Sequence, residues 1–597
     1  MNNFILIQSR EKTIHILPEK HIDKWYLIDN ENGIQTIDPN TENYALSDAI
    51  LVGFESQSGI IDFNDRKVSL IIGDFYKMYP DDSKAIMEYI QTDTKNEVYC
   101  SVGGAFAWIN IFLEDKKIEI NTDMFGQLPL FYYHDENVFA ISTSIDLLLK
   151  SFPDIPRNVN MERIIEFIVS TEISNYFLTF FKYIHRLKGN RRLILDNLKN
   201  PINISTYASL DDFRDPAFSF TSKNLRKDIE AVIKAVTYDK KTAYNLSGGT
   251  DSTLLSSVGA ILSPQKITCY TASTGFGDDL KFARLAASYM DADLKEVNID
   301  YNILKSDNIL ELIKANGRPI HIWGNNVGNT TIADKAKKDG FDIMVSGASE
   351  HVVSGGIFES NIKLFIFEAV KNRNWKLLFD TLRFNKKYKL LSFWKTVKEI
   401  YHSFSSSKDI KPTYLSKIQG KDFKGFFNPD IQHIRDNAKS EKISYHLDIF
   451  DFYKNYFDGE GGALQKYTYQ TYHSGKAADI SVRMPYLDTR FIKYIDHDKH
   501  LFLHNKHNKQ FAKDAMSDIM DPIVTYRKNT HGLKWSSLEF LKRNKNEIVN
   551  EIKTSPFLKS ILSKKTLEDL NKPTFRKSLL LSLYSVALFD KIFHIKV

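Results

Sequence analysis

Tyr244-Asn245-Leu246-Ser247-Gly248-Gly249-Thr250-Asp251-Ser252-Thr253 is the stretch whose reading decides the fold. An apolar approach, Ala243 to Leu246, ends in two glycines, and a Ser/Thr/Asp cluster opens a helix-compatible run from Thr253 to Ile261. The pattern predicts a strand, a tight turn and a helix start. Glycines let backbone N–H groups approach a polyanion because no Cβ intervenes. A helix start adds unpaired N–H groups and positive dipole. Ser247, Thr250 and Ser252 supply short hydroxyl donors, whereas Asp251 suits a metal ion and would repel a bare phosphate. Pyrophosphate bound together with Mg²⁺ wants that mixture. The plainer alternative is an ordinary βα turn with a capped helix, and the Asp-Ser pair after the glycines speaks against it.

No Gly-Lys-Ser/Thr follows, so this is not a Walker A loop. Ser247-Gly248-Gly249-Thr250-Asp251-Ser252 resembles the S-G-G-x-D-S pyrophosphate loop of ATP pyrophosphatases, which release AMP and pyrophosphate rather than ADP. The asparagine synthetase superfamily belongs to that group.

Composition narrows the setting. At 597 residues, with 43% hydrophobic and 13% aromatic residues, the chain needs more than one core. A net charge of +6 on 26% charged residues is mild and permits an acidic ligand such as ATP. It gives little reason to expect nucleic acid. Cys100 and Cys269 are the only cysteines, which argues against a disulfide framework and a thiolate metal site. The start, MNNFILIQSREK, is too short in apolar residues for a signal peptide, and no stretch reaches transmembrane length. A cytoplasmic protein without a membrane span is the expectation.

Residues 1 to about 205 read as short strands and turns, clearest at Phe4–Ile7, Val68–Ile72 and Phe106–Ile111. Gly103-Gly104-Ala105-Phe106, then Asp123-Met124-Phe125-Gly126-Gln127-Leu128-Pro129-Leu130-Phe131-Tyr132-Tyr133, then Phe139-Ala140-Ile141-Ser142 come in order. That order resembles the N-terminal glutamine-hydrolysing domain of asparagine synthetases, whose nucleophile is a cysteine at the mature N-terminus. Here Asn2 and Asn3 follow Met1, and Cys100 lies just ahead of the glycine strand. A carboxamide cannot do thiolate chemistry. The expectation is a degenerate domain over 1–208 that draws no ammonia from glutamine.

Ser209 to Pro216 reads as a linker, and 217–597 as the second domain. Helical and strand patterns alternate there, as in a doubly wound parallel sheet: a helix from Asn224 to Val236, strands at Lys266–Thr271 and Lys295–Ile299, and a helix carrying Ala283, Ala286 and Ala287 after Asp278-Asp279. In Gly317-Arg318-Pro319, Arg318 reads either as a phosphate contact or as a solvated arginine. Ile343-Met344-Val345-Ser346-Gly347-Ala348-Ser349-Glu350-His351 runs a buried strand into a small-residue loop with an acid. This resembles the superfamily's S-G-x-G-x-D-E/H loop, with Glu for Asp and one residue fewer. The resemblance implies Glu350 as a second Mg²⁺ ligand; a helix-capping glutamate is the alternative, and His351 reads as a loop histidine.

From Asn361 to Ser407 the pattern is helical and basic, either a solvated face or a grip for a peptide. Lys411-Pro412-Thr413-Tyr414-Leu415 resembles the P-x-W-L segment of lasso-peptide cyclases and similar asparagine-synthetase-like proteins. Asp479 to Asp488 resembles E-x-R-x-P-F-L-D, with Ser481 where the acid stands and Arg483 and Asp488 expected as an ion pair. Asn508 to Ala512 and Tyr526-Arg527-Lys528-Asn529-Thr530-His531-Gly532-Leu533 resemble a K-x-x-L-R helix and the R-K-x-G-F turn, whose lysine faces the reacting centre. On that resemblance Lys528 stabilises charge growing in the transition state, and Lys509 is a secondary or structural cation.

The resemblance therefore implies an α/β chain. An N-terminal glutamine-amidotransferase-like (Ntn-type) α+β sandwich precedes a doubly wound ATP-pyrophosphatase domain (adenine nucleotide α hydrolase-like) with a helical C-terminal part. Leu246, Ser247, Gly248, Gly249, Thr250, Asp251, Ser252, Ser346 and Gly347 would bind ATP. Asp251 and Glu350 would hold Mg²⁺, and Lys528 would join them in catalysis. The implied reaction adenylates a carboxylate and couples it to an amine. Glu350-His351 and the basic insertion turn the reading toward macrolactam cyclisation of a lasso precursor peptide, with that peptide and a leader-processing protease as partners. An ammonia-dependent asparagine synthetase, a β-lactam-synthetase-like cyclase and a degenerate nucleotide-binding protein remain the alternatives.

Overall fold

The computed structural model describes residues 3–9, 12–15, 22–29, 33–37, 43–46, 49–55, 59–63, 66–92, 97–170, 173, 175, 177–213, 215, 217–218, 220–275, 279–299, 301, 307–322, 325–349, 366, 369–384, 423, 425–431, 463–496, 509–527 and 536–597. Glu350, His351, Lys528, most of 361–407 and Lys411 to Leu415 lie outside these.

Two large antiparallel sheets and a two-stranded one, Lys12–His15 with Asn43–Leu46, build the described N-terminal part. One has seven strands, with Phe4–Ser9 between Ala49–Phe54 and Val138–Ser142. The other has six, and its longest strands, Lys67–Lys77 and Val102–Phe112, pair from Lys67↔Phe112 to Lys77↔Val102. Alternation along the strands explains the layering. Phe4 and Leu6 face Val68, Leu70, Ile109 and Ile111 in a core between the sheets. Ile5 and Ile7 point outward to the helices Ile145–Ser151 and Met161–Ser170. Ile71, Phe106 and Trp108 point outward on the other side, toward Tyr89, Tyr99 and the helix Ser222–Thr237. Helices therefore cover both outer faces, which fits the expected α+β sandwich.

The sheet of the second part has five strands in the spatial order Asp293–Asn298, Thr268–Ser273, Thr242–Asn245, Ile343–Val345, Ser481–Arg483, and every pairing is parallel. Its two faces are read off adjacent residues. Tyr244, Cys269 and Val345 pack with Leu254, Leu255, Val258 and Ala283. Ala243, Tyr270 and Met344 pack with Ile332, Ala333 and Ala336. Both faces are covered by helices, as near-continuous apolar strands of a parallel sheet require. The chain order runs outward from Thr242–Asn245 in one direction and then returns to its other side. The topological switch point lies between Thr242–Asn245 and Ile343–Val345, where open α/β sheets bind ligands at the strands' carboxyl ends.

The two parts share a seam and a core. The buried Asp123 carboxylate accepts N–H bonds from Phe125 (3.0 Å), Gln127 (2.9 Å) and Leu128 (2.9 Å). That folds the turn so that Gln127 Nε2 donates to the carbonyls of Gly104 (3.2 Å) and Leu487 (3.3 Å), one on each side of the seam. Burial pushes the Asp123 carboxyl up to about 7, against the pull of those N–H donors. The last helix, Lys577–Phe593, leaves the parallel sheet behind and packs its apolar residues with those of Met161–Ser170.

Arg483 and Asp488 do not pair with each other. Arg483 binds Asp74 of the six-stranded sheet through two bonds, Nε to Oδ2 at 2.8 Å and Nη2 to Oδ1 at 2.6 Å, and Ser481 Oγ donates to the same carboxylate at 2.6 Å. Asp488 instead takes Arg490 at 2.7 Å and Tyr76 at 3.4 Å. The carboxylate expected two residues before the arginine thus comes from the other half of the chain. Burial opposes ionisation of Asp74, and Arg483 with Ser481 overcomes it, holding its carboxyl below the usual range.

Candidate active site

The loop after Thr242–Asn245 turns where Gly248 adopts φ +70°. A Cβ there would stand 2.6 Å from the Ala283 nitrogen, so a side chain is excluded by both conformation and space. Gly249 is the N-cap of the helix Thr250–Leu262, and Thr253 N–H makes the first helical bond back to its carbonyl (3.1 Å). The helix begins three residues earlier than the sequence pattern suggests. Its opening N–H groups therefore lie within the loop itself, where helical partners are lacking.

The loop serines brace the turn. Ser247 Oγ and Ser252 Oγ bond each other at 2.9 Å, Ser247 N–H donates to Ser252 Oγ at 3.1 Å, and Gly249 N–H donates to Ser247 Oγ at 3.2 Å. Across the switch point Ser346 N–H bonds the Arg483 carbonyl at 2.9 Å, which fixes the second loop to the edge strand. Gly347 lets that loop touch the first: a Cβ on it would lie 2.7 Å from the Ser252 nitrogen. Leu246, Ser247, Gly248, Gly249, Thr250, Asp251, Ser252, Ser346 and Gly347 are thus brought together at one end of the sheet. Arg318 is not with them. It is buried, neither solvated nor on the loop, and lies 4.5 Å over the Tyr469 ring.

Asp251 occupies the first turn of the helix, where a carboxylate is favoured by the dipole. Its backbone carbonyl accepts from Tyr486 at 3.0 Å. Its Oδ2 lies 2.5 Å from Lys509 Nζ, both side chains 18% exposed. Lys509 itself sits at φ +58°, capping the helix Gln510–Ala515. Sequence reasoning left it as a secondary or structural cation, yet its ammonium is in the site. A second basic group was missed altogether: Arg527 Nη2 bonds Asp279 Oδ1 at 3.0 Å with its guanidinium 4.4 Å over the Phe282 ring. The signal available was an acid opening the helix after one strand and an arginine in the basic turn.

Among the described residues no three His, Cys, Asp or Glu side chains gather as a metal cluster. Mg²⁺ does not need one, since it is commonly held by one or two carboxylates plus phosphate oxygens and water. Asp251, at a helix start and neutralised by a lysine, fits that use. Glu350 and Lys528 fall outside the described residues.

Residues 228–573, more than half of the chain, match the family described as asparagine synthase. The chain belongs to the asparagine synthase family. No curated protein matches it. Among solved structures, a glutamine phosphoribosylpyrophosphate amidotransferase from B. subtilis complexed with ADP and GMP is similar at 8% identity, over 49% of this chain and 65% of its own, with a TM-score of 0.23. An allosteric regulatory enzyme of purine biosynthesis is similar at 7% identity, over 50% of this chain and 80% of its own, with a TM-score of 0.24. The chain spans just under two thirds of the first of these structures. No helix among the described residues is long and apolar enough to cross a membrane.

Proposed function

We propose that this asparagine synthase family member is an ATP-dependent amide ligase that forms AMP and pyrophosphate. The observation that carries the reading is the pairing of two loops at the sheet's switch point, with the Asp251 carboxylate and the Lys509 ammonium at their mouth. In the reaction a substrate carboxylate oxygen attacks the α-phosphorus, the bond to the β-phosphate oxygen breaks, and pyrophosphate leaves. An amine then attacks the acyl carbon, the C–O bond to AMP breaks, and the amine's proton passes to a base.

The N–H groups of Gly248 and the first helical turn would cradle the departing pyrophosphate, with Ser247, Gly249, Thr250 and Ser252 shaping the cradle and Ser346 and Gly347 closing it. Asp251, with Glu350, would hold Mg²⁺, which when bound neutralises phosphate charge. Lys528 would face the acyl centre, and Lys509 would move its charge from Asp251 toward the phosphates. Holding the amine beside the activated acyl group supplies much of the remaining acceleration.

The amine belongs to the substrate in this reading. Burial raises the Cys269 thiol to about 12, away from the thiolate that glutamine hydrolysis uses. The substrate is a lasso-type precursor peptide, closed through an internal Asp or Glu side chain after its leader is cut by a partner protease. What supports a peptide is the charge of 361–407, where ten Lys/Arg face three Asp/Glu, an excess greater than the whole chain's +6. The test is pyrophosphate release from ATP with candidate carboxylates. Loss of one water from a precursor peptide supports cyclisation, stimulation by aspartate and free ammonium moves the reading to an asparagine synthetase, and ADP as product sinks it.

A further inference from the structure

We infer that Arg527 is a phosphate-binding residue of this site, taking the β- or γ-phosphate of a nucleoside triphosphate, or the pyrophosphate left from it. The inference rests on the ligase reading above. Arg527 has a side chain only 4% exposed, and one of its terminal nitrogens, Nη2, is spent on Asp279. Nε and Nη1 are buried with no hydrogen-bond acceptor among the described residues. Donors of a permanent cation do not stay unmet in a folded interior without a cause, and a bound anion is one such cause.

The surroundings say which anion. Phe282 is the common neighbour of the guanidinium and the glycine loop: Arg527 stacks on its ring, and its Cβ would lie 3.0 Å from a Cβ placed on Gly248. Asp279 opens the helix that follows Thr268–Ser273, so the arginine sits at the carboxyl end of the strand beside the central one. Stacking on Phe282 and the single bond to Asp279 fix the guanidinium plane while leaving two donors for ligand oxygens. A planar guanidinium held this way recognises phosphate, and a lysine does not reproduce it.

The experiment is isothermal titration of the full chain and of Arg527→Gln and Arg527→Lys with Mg-ATP, pyrophosphate and AMP. Thermal unfolding of each variant reports its fold. Arg527→Lys keeps the charge beside Asp279 and is the deciding variant if Arg527→Gln does not fold. The expected result is ATP and pyrophosphate affinity weakened about 10- to 100-fold, with AMP affinity unchanged, because only the outer phosphates reach the arginine. A folded variant that binds ATP and pyrophosphate within twofold of wild type overturns the inference and leaves the ligase reading standing. Wild-type protein that binds neither ATP nor pyrophosphate overturns both.

Discussion

Two Asp–cation pairs, each joining residues far apart in the chain, do opposite work in this molecule. Asp74–Arg483 is doubly bonded, its arginine side chain is 4% exposed, and Ser481 completes the carboxylate's shell. Asp251–Lys509 is a single contact between side chains each 18% exposed, at the open end of the parallel sheet. A planar guanidinium locked on a carboxylate is a fastener, whereas an ammonium on a flexible stem is a movable charge. The first pair holds two halves together; the second lies where, in the proposed reaction, a metal and a polyanion would compete for its members.

The largest expected effect breaks the second pair. Asp251→Ala should abolish carboxylate-dependent pyrophosphate release, a fall of about 10²- to 10³-fold or more, by analogy with the loss of one preorganised electrostatic group. Its urea midpoint should barely move. Asp74→Ala should do the reverse in kind, lowering stability by about 3–5 kcal/mol because Arg483 is left buried and unpaired. Urea unfolding measures this, and Asp74→Ala with Arg483→Met should recover part of the loss. Lys509→Met should cost stability only about 0–1 kcal/mol yet raise the ATP concentration needed for half-maximal pyrophosphate release.

Acid sharpens a second contrast, between the carboxylates of Asp74 and Asp123. Asp74 is held below its unfolded pKa, so its stabilisation is present above about pH 4 and is lost as pH falls through the folded value. Asp123 is raised to about 7, so the folded state holds an extra proton between the unfolded and folded values. Stability from this group is full below about pH 4 and declines as pH rises toward 7. Asp123→Asn should flatten that part of a denaturation-versus-pH profile. An unchanged slope would show that the three N–H donors keep the carboxyl ionised throughout.

What could be read ahead of the structure was local. Strand, glycine turn and helix start lie within ten residues around Ser247, and each signal is a short-range one. The apolar approach from Ala243 to Leu246 likewise announced the strand. Pairings across the seam were not legible. Asp488 lies five residues from Arg483 and looked a natural partner, while Asp74 is 409 residues away and reaches it only because two sheets abut. Arg318 was misread for the same reason, since nothing near it in sequence shows that Tyr469 will lie under it. Lys509 was underrated because a left-handed cap residue, not a helix face, presents it to Asp251. Glu350 and Lys528 stand as the sequence left them.

The helix Lys577–Phe593, lying on the helices that cover the seven-stranded sheet, has a consequence for synthesis. The sandwich emerges from the ribosome first, yet part of its apolar covering is translated about 400 residues later. At roughly 5–20 residues per second, the nascent N-terminal half waits tens of seconds with a greasy flank uncovered. Truncation from the carboxyl end should therefore strand the amino-terminal half as a chaperone client rather than release a smaller soluble protein.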